Sequence, residues 1–147
     1  MNEFIARLAS EMRGGTDAYV RRSEDLVGQI ASVHGPKSIG MLLPLLDDRA
    51  AHDELMFSII HTIESFDDHT YVRQILHHLP RLWGNSPRWA TIIHMRILNS
   101  PRALAAYKDA INGLTGIEKQ AVRDVLTAVR QKNSRFEAST DVLLEAL

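Results

Sequence analysis

A histidine and a glutamate one helical turn apart are the first candidates for a metal-binding or catalytic site in this sequence. His61 and Glu64 stand at positions i and i+3 of residues 54–72, a stretch with the apolar rhythm of a buried helix. An imidazole and a carboxylate at this spacing share one helix face. They could be two ligands of a metal ion or an acid–base pair. They could also be the polar flank of a packed helix.

A zinc site at His61 and Glu64 would need at least one further ligand, because zinc sites use three or four protein ligands. The helical motif H-E-x-x-H is absent, and the seven histidines are scattered along a chain that has no cysteine. We therefore expect no metal and no cofactor. The pair is interpreted as the polar flank of a packed helix, paired with a neighbouring helix or facing a partner.

Other catalytic patterns are also missing. A chain without cysteine has no thiol nucleophile, disulfide or Fe–S cluster. It also lacks the G-x-S-x-G nucleophile elbow and a glycine-rich loop between a strand and a helix that could cradle phosphate. We predict that the protein is not an enzyme.

Length and composition indicate one ordinary globular domain over residues 1–147. With 45% hydrophobic and 24% charged residues the chain is not of the disordered class.

The N-terminus shows no signal-peptide pattern, and apolar runs such as SIGMLLPLL are too short to span a bilayer. A net charge of −1 favours neither nucleic acid nor an anionic membrane as a partner. We expect a cytoplasmic protein without a membrane partner.

The apolar pattern predicts an all-α fold. Apolar residues recur at steps of three and four almost everywhere, and no alternation typical of a strand stands out. The breaks predict eight or nine helices of about ten to eighteen residues. Short turns make neighbouring helices antiparallel, which favours right-handed stacked hairpins, a HEAT-like or TPR-like solenoid. Since no strict repeat is present, an irregular bundle is the alternative.

Several helix boundaries have a specific signal. Gly14-Gly15 should end the first helix and Gly35 the second. Asp68 can cap a helix that Pro80 is expected to interrupt, with WGNSP as the following turn. Later helices should start at Ser86-Pro87, at Ser100-Pro101 and at the capping-box pair Thr115 and Glu118, with a last helix around residues 140–147. The predicted core runs through Ile59, Ile63, Phe66, Leu76, Ile93, Leu98 and Leu126.

Charge is uneven along the chain. Residues 47–68 contain seven acidic residues and one basic residue, a local charge of −6 against +5 elsewhere. Part of this charge lies in a stripe beside the apolar face of the helix that carries His61. The stripe consists of Asp53, Phe57, His61, Glu64 and Asp68. The acidic residues of the segment are Asp47, Asp48, Asp53, Glu54, Glu64, Asp67 and Asp68.

Two interpretations of this acidic segment stay open. Acidic residues at helix starts interact favourably with the helix dipole, which accounts for Asp53, Glu54 and Asp68. The helix dipole does not account for Glu64 or Asp67, which fall near a predicted helix C-terminus. The segment is either a solvated face or a patch that receives a basic partner.

Two tryptophans, Trp83 and Trp89, flank the predicted turn in the sequence WGNSPRW. A tryptophan at a helix start is normally a packing residue, although Trp is also enriched among interface anchors. The region around Trp83, Arg88 and Trp89 is basic, so these three residues are a second candidate for partner binding. Exposed aromatic rings among arginines can bind nucleic acid, but the balanced overall charge does not support direct nucleic-acid binding.

Residues 47–72 and 76–100 also carry a resemblance to a known family. The features are His61, Glu64 and Phe66 on one helix, the pair Tyr71-Val72, the Pro87…Trp89 helix start and the sequence RILNS at residues 96–100. Over roughly residues 40–130 the chain resembles the all-helical bacterial immunity proteins of family thirty. These are encoded beside polymorphic or contact-dependent growth-inhibition toxins.

The resemblance implies an inhibitor that is not an enzyme and that binds the C-terminal domain of a cognate toxin, blocking its active site. Such toxins are often nucleases with basic clefts, so the acidic segment would imitate a phosphate backbone. The protein would be a monomer or weak dimer. The resemblance further implies core roles for Phe66, Tyr71, Trp89 and Leu98, with Arg96 or Asn99 bonding a helix end.

The alternative from another functional class is a helical-repeat scaffold or adaptor that binds a host protein or peptide in a groove. Both hypotheses require an exposed interaction surface, so the sequence alone separates them poorly.

Overall fold

The computed structural model describes residues 3–13 and 17–147, with residues 17–19 described by their backbone alone. This part of the chain contains nine α-helices, three short 3₁₀ helices and no strand. The all-α prediction is confirmed. The helices are α1 (Glu3–Met12), α2 (Asp17–His34), α3 (Lys37–Leu42), α4 (Asp53–Glu64), α5 (Asp68–Asn85), α6 (Pro87–Leu98), α7 (Pro101–Ala110), α8 (Gly116–Lys132) and α9 (Glu137–Glu145). The 3₁₀ helices are Leu43–Leu45, Ile111–Gly113 and Ser134–Phe136.

The helices form two units, an N-terminal unit that ends at Asp67 and a C-terminal unit, Asp68–Leu147. Within the N-terminal unit α2 packs against α1, α3 and α4. Within the C-terminal unit α5 contacts α6, α7 and α8, while α9 packs on α8. Consecutive helices such as α5 and α6 therefore contact each other. The single domain, the antiparallel hairpins and the right-handed stack stay predictions.

Local signals define most helix ends. Gly35 follows α2 in the left-handed region (φ 55°), which favours glycine, and its N–H donates to the Ala31 carbonyl at 2.9 Å. The Ser100 side chain accepts a bond from the N–H of Ala103 at 3.3 Å. At α8 the capping box is complete, with Thr115 and Glu118 bonded in both directions. These predicted boundaries are confirmed, whereas Gly14-Gly15 lies outside the described residues.

Two predicted boundaries are wrong. α5 does not stop at Pro80 but continues to Asn85, because its buried face extends across the proline to Leu82. Most of WGNSP is therefore helical, and Ser86 alone separates α5 from α6. The last helix begins at Glu137 instead of residue 140, because the 3₁₀ helix that ends at the buried Phe136 leads directly into it.

The core agrees with the apolar pattern except at helix ends. Of the seven predicted core residues, Ile59, Ile63, Leu76, Ile93 and Leu126 are buried. Phe66 and Leu98 are only half-buried, which corrects the prediction for both. Phe66 lies in the turn after α4 and Leu98 is the last residue of α6, where a side chain has fewer helical neighbours.

His94 and Tyr107 are polar side chains in the core of the C-terminal unit. Both are fully buried, with ring centroids 5.6 Å apart and ring planes at 87°. His94 Nδ1 lies 2.8 Å from the Ala90 carbonyl oxygen, which fits a neutral ring that donates from Nδ1. In the described part of the chain neither His94 Nε2 nor the Tyr107 hydroxyl has a hydrogen-bond partner. Burial lowers the pKa of His94 to about 4 and raises the pKa of Tyr107 above its usual range.

We expect His94 to make the free energy of unfolding fall by about 3 kcal/mol as the pH drops from 6.5 to 4. In this window the unfolded chain binds a proton at His94 that the buried ring excludes, so stability falls as the pH falls. The contribution becomes constant above about pH 7.5, where His94 is neutral in both states. Urea unfolding at about pH 7.5 and about pH 4.5 measures it.

The control is His94→Phe, which keeps a ring beside Tyr107 and removes the ionisable group. Carboxylates and other histidines titrate alike in both proteins, so the variant should lose less stability on acidification than wild type. Equal losses would show that His94 is not the group responsible.

Candidate functional site

Helix α4 positions the polar residues of the predicted site in the N-terminal unit. One side of α4 is buried through Leu55, Met56, Ile59, Ile60 and Ile63. Glu54 and His61 are exposed on the opposite side, and Asp53, Phe57 and Glu64 lie half-buried along one flank. The structure therefore brings Asp53, Phe57, His61 and Glu64 to one face of α4, as the spacing predicted. Asp68, the fifth residue of the predicted stripe, instead belongs to α5, because α4 ends at Glu64.

His61 lies beside an aromatic ring at the surface. Its ring centroid is 6.4 Å from that of Phe57, with the planes tilted by 34°. Among the described residues no group of three or more His, Cys, Asp or Glu side chains could hold a metal ion. The structure thus places His61 on the polar face of a packed helix. The absence of a bound metal stays a prediction.

Asp47 has a structural role in the loop before α4. Its Oδ1 accepts a hydrogen bond from the N–H of Arg49 at 2.9 Å, which is an Asx-turn geometry. Its own N–H lies 3.4 Å from Met56 Sδ on α4. Asp48 beside it is half-buried. Both aspartates precede α4, as expected, but Asp47 also shapes the loop.

The structure changes the explanation for Asp67 and Asp68. α5 begins at Asp68, so Asp67 stands immediately before a helix start, where a negative charge is favourable. The interpretation of Asp67 as a residue placed unfavourably at a helix C-terminus is therefore wrong. Asp68 Oδ2 is 3.0 Å from Arg102 Nε on α7, so part of its charge is neutralised within the C-terminal unit.

Two acidic residues that the sequence did not single out lie on the neighbouring helix. Glu24 and Asp25 are exposed on α2, which packs against α4. Ser58 Oγ on α4 donates to Glu24 Oε1 at 2.7 Å. The two residues are 34 positions apart, so only the packing of α2 on α4 reveals that Glu24 lies against Ser58, one turn after Glu54. We call Glu24, Asp25, Asp53, Glu54 and Glu64 the acidic surface.

The two units carry opposite net charges. Residues 1–67 include eleven acidic and six basic residues, a net charge of −5, whereas residues 68–147 include seven acidic and eleven basic residues, a net charge of +4. Within the first unit, residues 47–67 alone hold six acidic residues and one basic residue. The remainder of that unit is balanced, so its negative charge comes from the segment that contains α4.

The second predicted site is divided between surface and core. Arg88 is exposed and its Cζ lies 4.7 Å from the centroid of the Trp89 ring, a cation–π geometry. Trp89 itself is fully buried, and Trp83 is half-buried. Trp89 is thus a packing residue of α6. The prediction that it binds a partner is wrong, because a ring enclosed by the core presents no surface to a partner.

Comparison with known proteins gives a match to the family model Immunity protein 30 over residues 11–107. The match covers about two thirds of the chain. The chain belongs to the Immunity protein 30 family. No curated protein and no solved structure gives a significant match.

The family match confirms the resemblance, although its bounds differ from the predicted ones. It begins at residue 11, near the end of α1, and ends at residue 107 in α7. Helices α8 and α9 of this Immunity protein 30 chain therefore lie outside it. The helices over residues 3–13 and 17–147 include none that is long and apolar enough to cross a bilayer.

The structure also tests the roles that the family resemblance implied for individual residues. Tyr71 and Trp89 are buried, as implied. The Asn99 side chain, just after α6, accepts a hydrogen bond at Oδ1 from Arg135 Nη2 at 2.8 Å. This bond joins the end of α6 to the 3₁₀ helix before α9.

We expect Trp89→Ala to lower the free energy of unfolding by about 3–5 kcal/mol, the usual cost of removing a fully buried large aromatic side chain. Trp83→Ala should cost clearly less, since Trp83 is half-buried. Urea denaturation followed by circular dichroism measures both.

Fluorescence gives an independent check of where Trp89 lies. In Trp83→Phe all tryptophan emission comes from Trp89, because the chain has two tryptophans. That emission should be blue-shifted and resistant to acrylamide quenching. Ready quenching in the folded variant would place Trp89 at the surface.

Proposed function

We propose that this immunity protein neutralises a cognate bacterial toxin by binding the toxin's C-terminal domain in the cytoplasm, with no enzymatic activity of its own. The observation that carries the proposal is the Immunity protein 30 match over residues 11–107. A protein-binding mode of inhibition also fits the acidic residues that are exposed on α2 and α4.

We further propose that the acidic surface is the part that meets the toxin, and that the toxin domain is a basic nuclease. Glu54 and Asp25 are exposed on neighbouring helices, and Glu24 is held against α4 by the hydrogen bond from Ser58. Asp53 and Glu64 extend the negative charge along α4. A cleft built to hold a phosphate backbone is positively charged, so an acidic helix face is complementary to it.

The physical role of such a surface is attraction before contact. Complementary charges accelerate association between proteins and lose this effect as salt screens them. Exposed carboxylates at the rim of an interface change the association rate more than the dissociation rate. The exposed members of the acidic surface should therefore act mainly on the rate of capture.

Co-expression with the toxin tests the proposal directly. The gene should lie directly after a reading frame that encodes a toxin, and expression of that toxin's C-terminal domain should arrest growth. We expect this chain to restore growth and to co-purify with the domain. The toxin proposal would be rejected if no toxin gene lay beside this gene, or if this chain did not relieve the growth arrest. Another function, such as that of a helical-repeat adaptor, would then be favoured.

A charge variant tests the proposed interface. Asp25→Asn with Glu54→Gln should slow association with the toxin domain by about five- to tenfold at low ionic strength and by much less at high salt. The substitutions leave the buried face of α4 unchanged, so thermal unfolding should change little. Stopped-flow association at two salt concentrations measures the effect.

The matched control is Asp109→Asn with Glu145→Gln, which removes two exposed carboxylates from the C-terminal unit. It changes the net charge by the same amount and should bind almost as wild type does. If both double variants slow association to the same extent, net charge alone governs capture and the acidic surface is a solvated face.

A further inference from the structure

The outer face of α5 carries a row of basic side chains. His69, Arg73, His77 and Arg81 follow one another at intervals of four residues, and all four are exposed. Side chains at this spacing lie along one side of a helix, over a length of about 18 Å. We call these residues the basic stripe. It lies in the C-terminal unit, whose net charge is +4.

A groove of about 330 Å³ lies against this stripe, between α5, the end of α7 and the start of α8. Arg73, His77 and Glu118 give it polar edges, and Leu76, Ala110 and Leu114 line it with apolar surface. Next to Glu118, Ile117 is 74% exposed, one of the most exposed large hydrophobic side chains in the described part of the chain. Apolar lining with a few polar groups at the edge is typical of a site that takes one or two side chains.

The carboxylate of Glu118 is already engaged by the protein. It accepts a hydrogen bond from the N–H of Thr115 at 2.8 Å and lies 3.2 Å from His77 Nδ1. The Thr115 N–H is the main reason that the pKa of Glu118 lies below its usual range. Glu118 is therefore held at the helix start and oriented towards His77.

Arg73 and Arg81 have no such carboxylate partner. Within residues 3–13 and 17–147 neither arginine forms an ion pair, although other arginines of the unit do, as Arg102 does with Asp68 and Arg130 with Asp141. Arg73 thus presents a guanidinium at the edge of an apolar groove. A guanidinium binds a carboxylate through two parallel hydrogen bonds, and more strongly where apolar surface excludes water.

We propose that this groove binds a segment of a second protein in which a carboxylate side chain stands next to a large aliphatic one. The aliphatic side chain contacts Leu76, Ala110 and Leu114, which line the groove. The carboxylate pairs with Arg73, and further acidic residues of the segment follow the basic stripe towards Arg81. The inference does not depend on the toxin proposal, because it concerns another surface and the opposite charge.

The groove favours a peptide over a nucleic acid. A phosphate backbone needs a continuous positive surface, and the bound Glu118 places a negative charge on the groove wall. The lining of Leu76, Ala110 and Leu114 also offers aliphatic contacts in place of the aromatic rings on which exposed bases stack.

The probe is the peptide acetyl-Gly-Leu-Glu-Leu-Glu-Gly-amide, titrated into the ¹⁵N-labelled full chain and followed by NMR chemical shifts. We expect saturable shifts confined to α5, the 3₁₀ helix Ile111–Gly113 and the start of α8. The same peptide with both Glu replaced by Gln should bind about tenfold more weakly, as expected for the loss of charged hydrogen bonds. This comparison needs no protein variant.

Three variants test the site itself. Arg73→Gln should weaken the Glu peptide about tenfold, whereas Lys108→Gln, which removes one exposed charge from α7, should leave it within about twofold. Gly113 lines the groove with an ordinary φ, and a Cβ there would meet nothing within 4 Å. Gly113→Phe should therefore fold, as a thermal melt would verify, and should abolish saturable binding.

Several outcomes would overturn the proposal. They are the absence of saturable shifts with the Glu peptide, equal binding of the Gln peptide, or an Arg73→Gln variant that binds as Lys108→Gln does. A single-stranded oligonucleotide that moves the same resonances with higher affinity would instead assign the basic stripe to nucleic acid. None of these results bears on toxin neutralisation, which depends on the acidic surface.

Discussion

The burial of one face of α5 is the constraint on which the C-terminal unit depends. Tyr71, Val72, Ile75, Leu76, Leu79 and Leu82 are buried along this helix, which contacts α6, α7 and α8. Each such side chain contributes about 1.5–3 kcal/mol, so together they outweigh the roughly 3 kcal/mol that a proline costs inside a helix. The helix therefore runs through Pro80. That continuity keeps Arg81 on the same outer side of α5 as Arg73 and His77, which line the groove.

The parts of the fold that the sequence predicted correctly are those set by local chemistry. The apolar period identifies the helices, Gly35 supplies a left-handed residue after α2, and Thr115 with Glu118 closes a capping box. The errors occur where tertiary packing overrides a local rule. Pro80 is tolerated because the surrounding side chains are buried, and Phe66 is half-exposed because apolar character alone does not say how many neighbours a turn residue will have.

The candidate sites were predictable only as far as their residues are close in sequence. The stripe of Asp53, His61 and Glu64 follows from helical spacing, and the structure places it on one face of α4. Glu24 joins the acidic surface through Ser58, across 34 positions, and His77 meets Glu118 across 41. Pairings over such separations depend on how helices pack, which no spacing rule on one helix can give. For the same reason the groove beside the basic stripe, which three helices build, has no signal in the sequence.

Opposite charges on the two units have a consequence for selectivity. Charge attraction acts over about 8–10 Å in physiological salt and depends little on shape, so an acidic face alone would be attracted to many basic proteins. A groove with an apolar lining and a guanidinium at its edge imposes a different requirement, since an unmatched group would leave Arg73 desolvated and unpaired. The two proposed surfaces would therefore differ in role: the acidic surface would supply rapid capture of its partner, whereas the groove would supply selectivity for the segment that it binds.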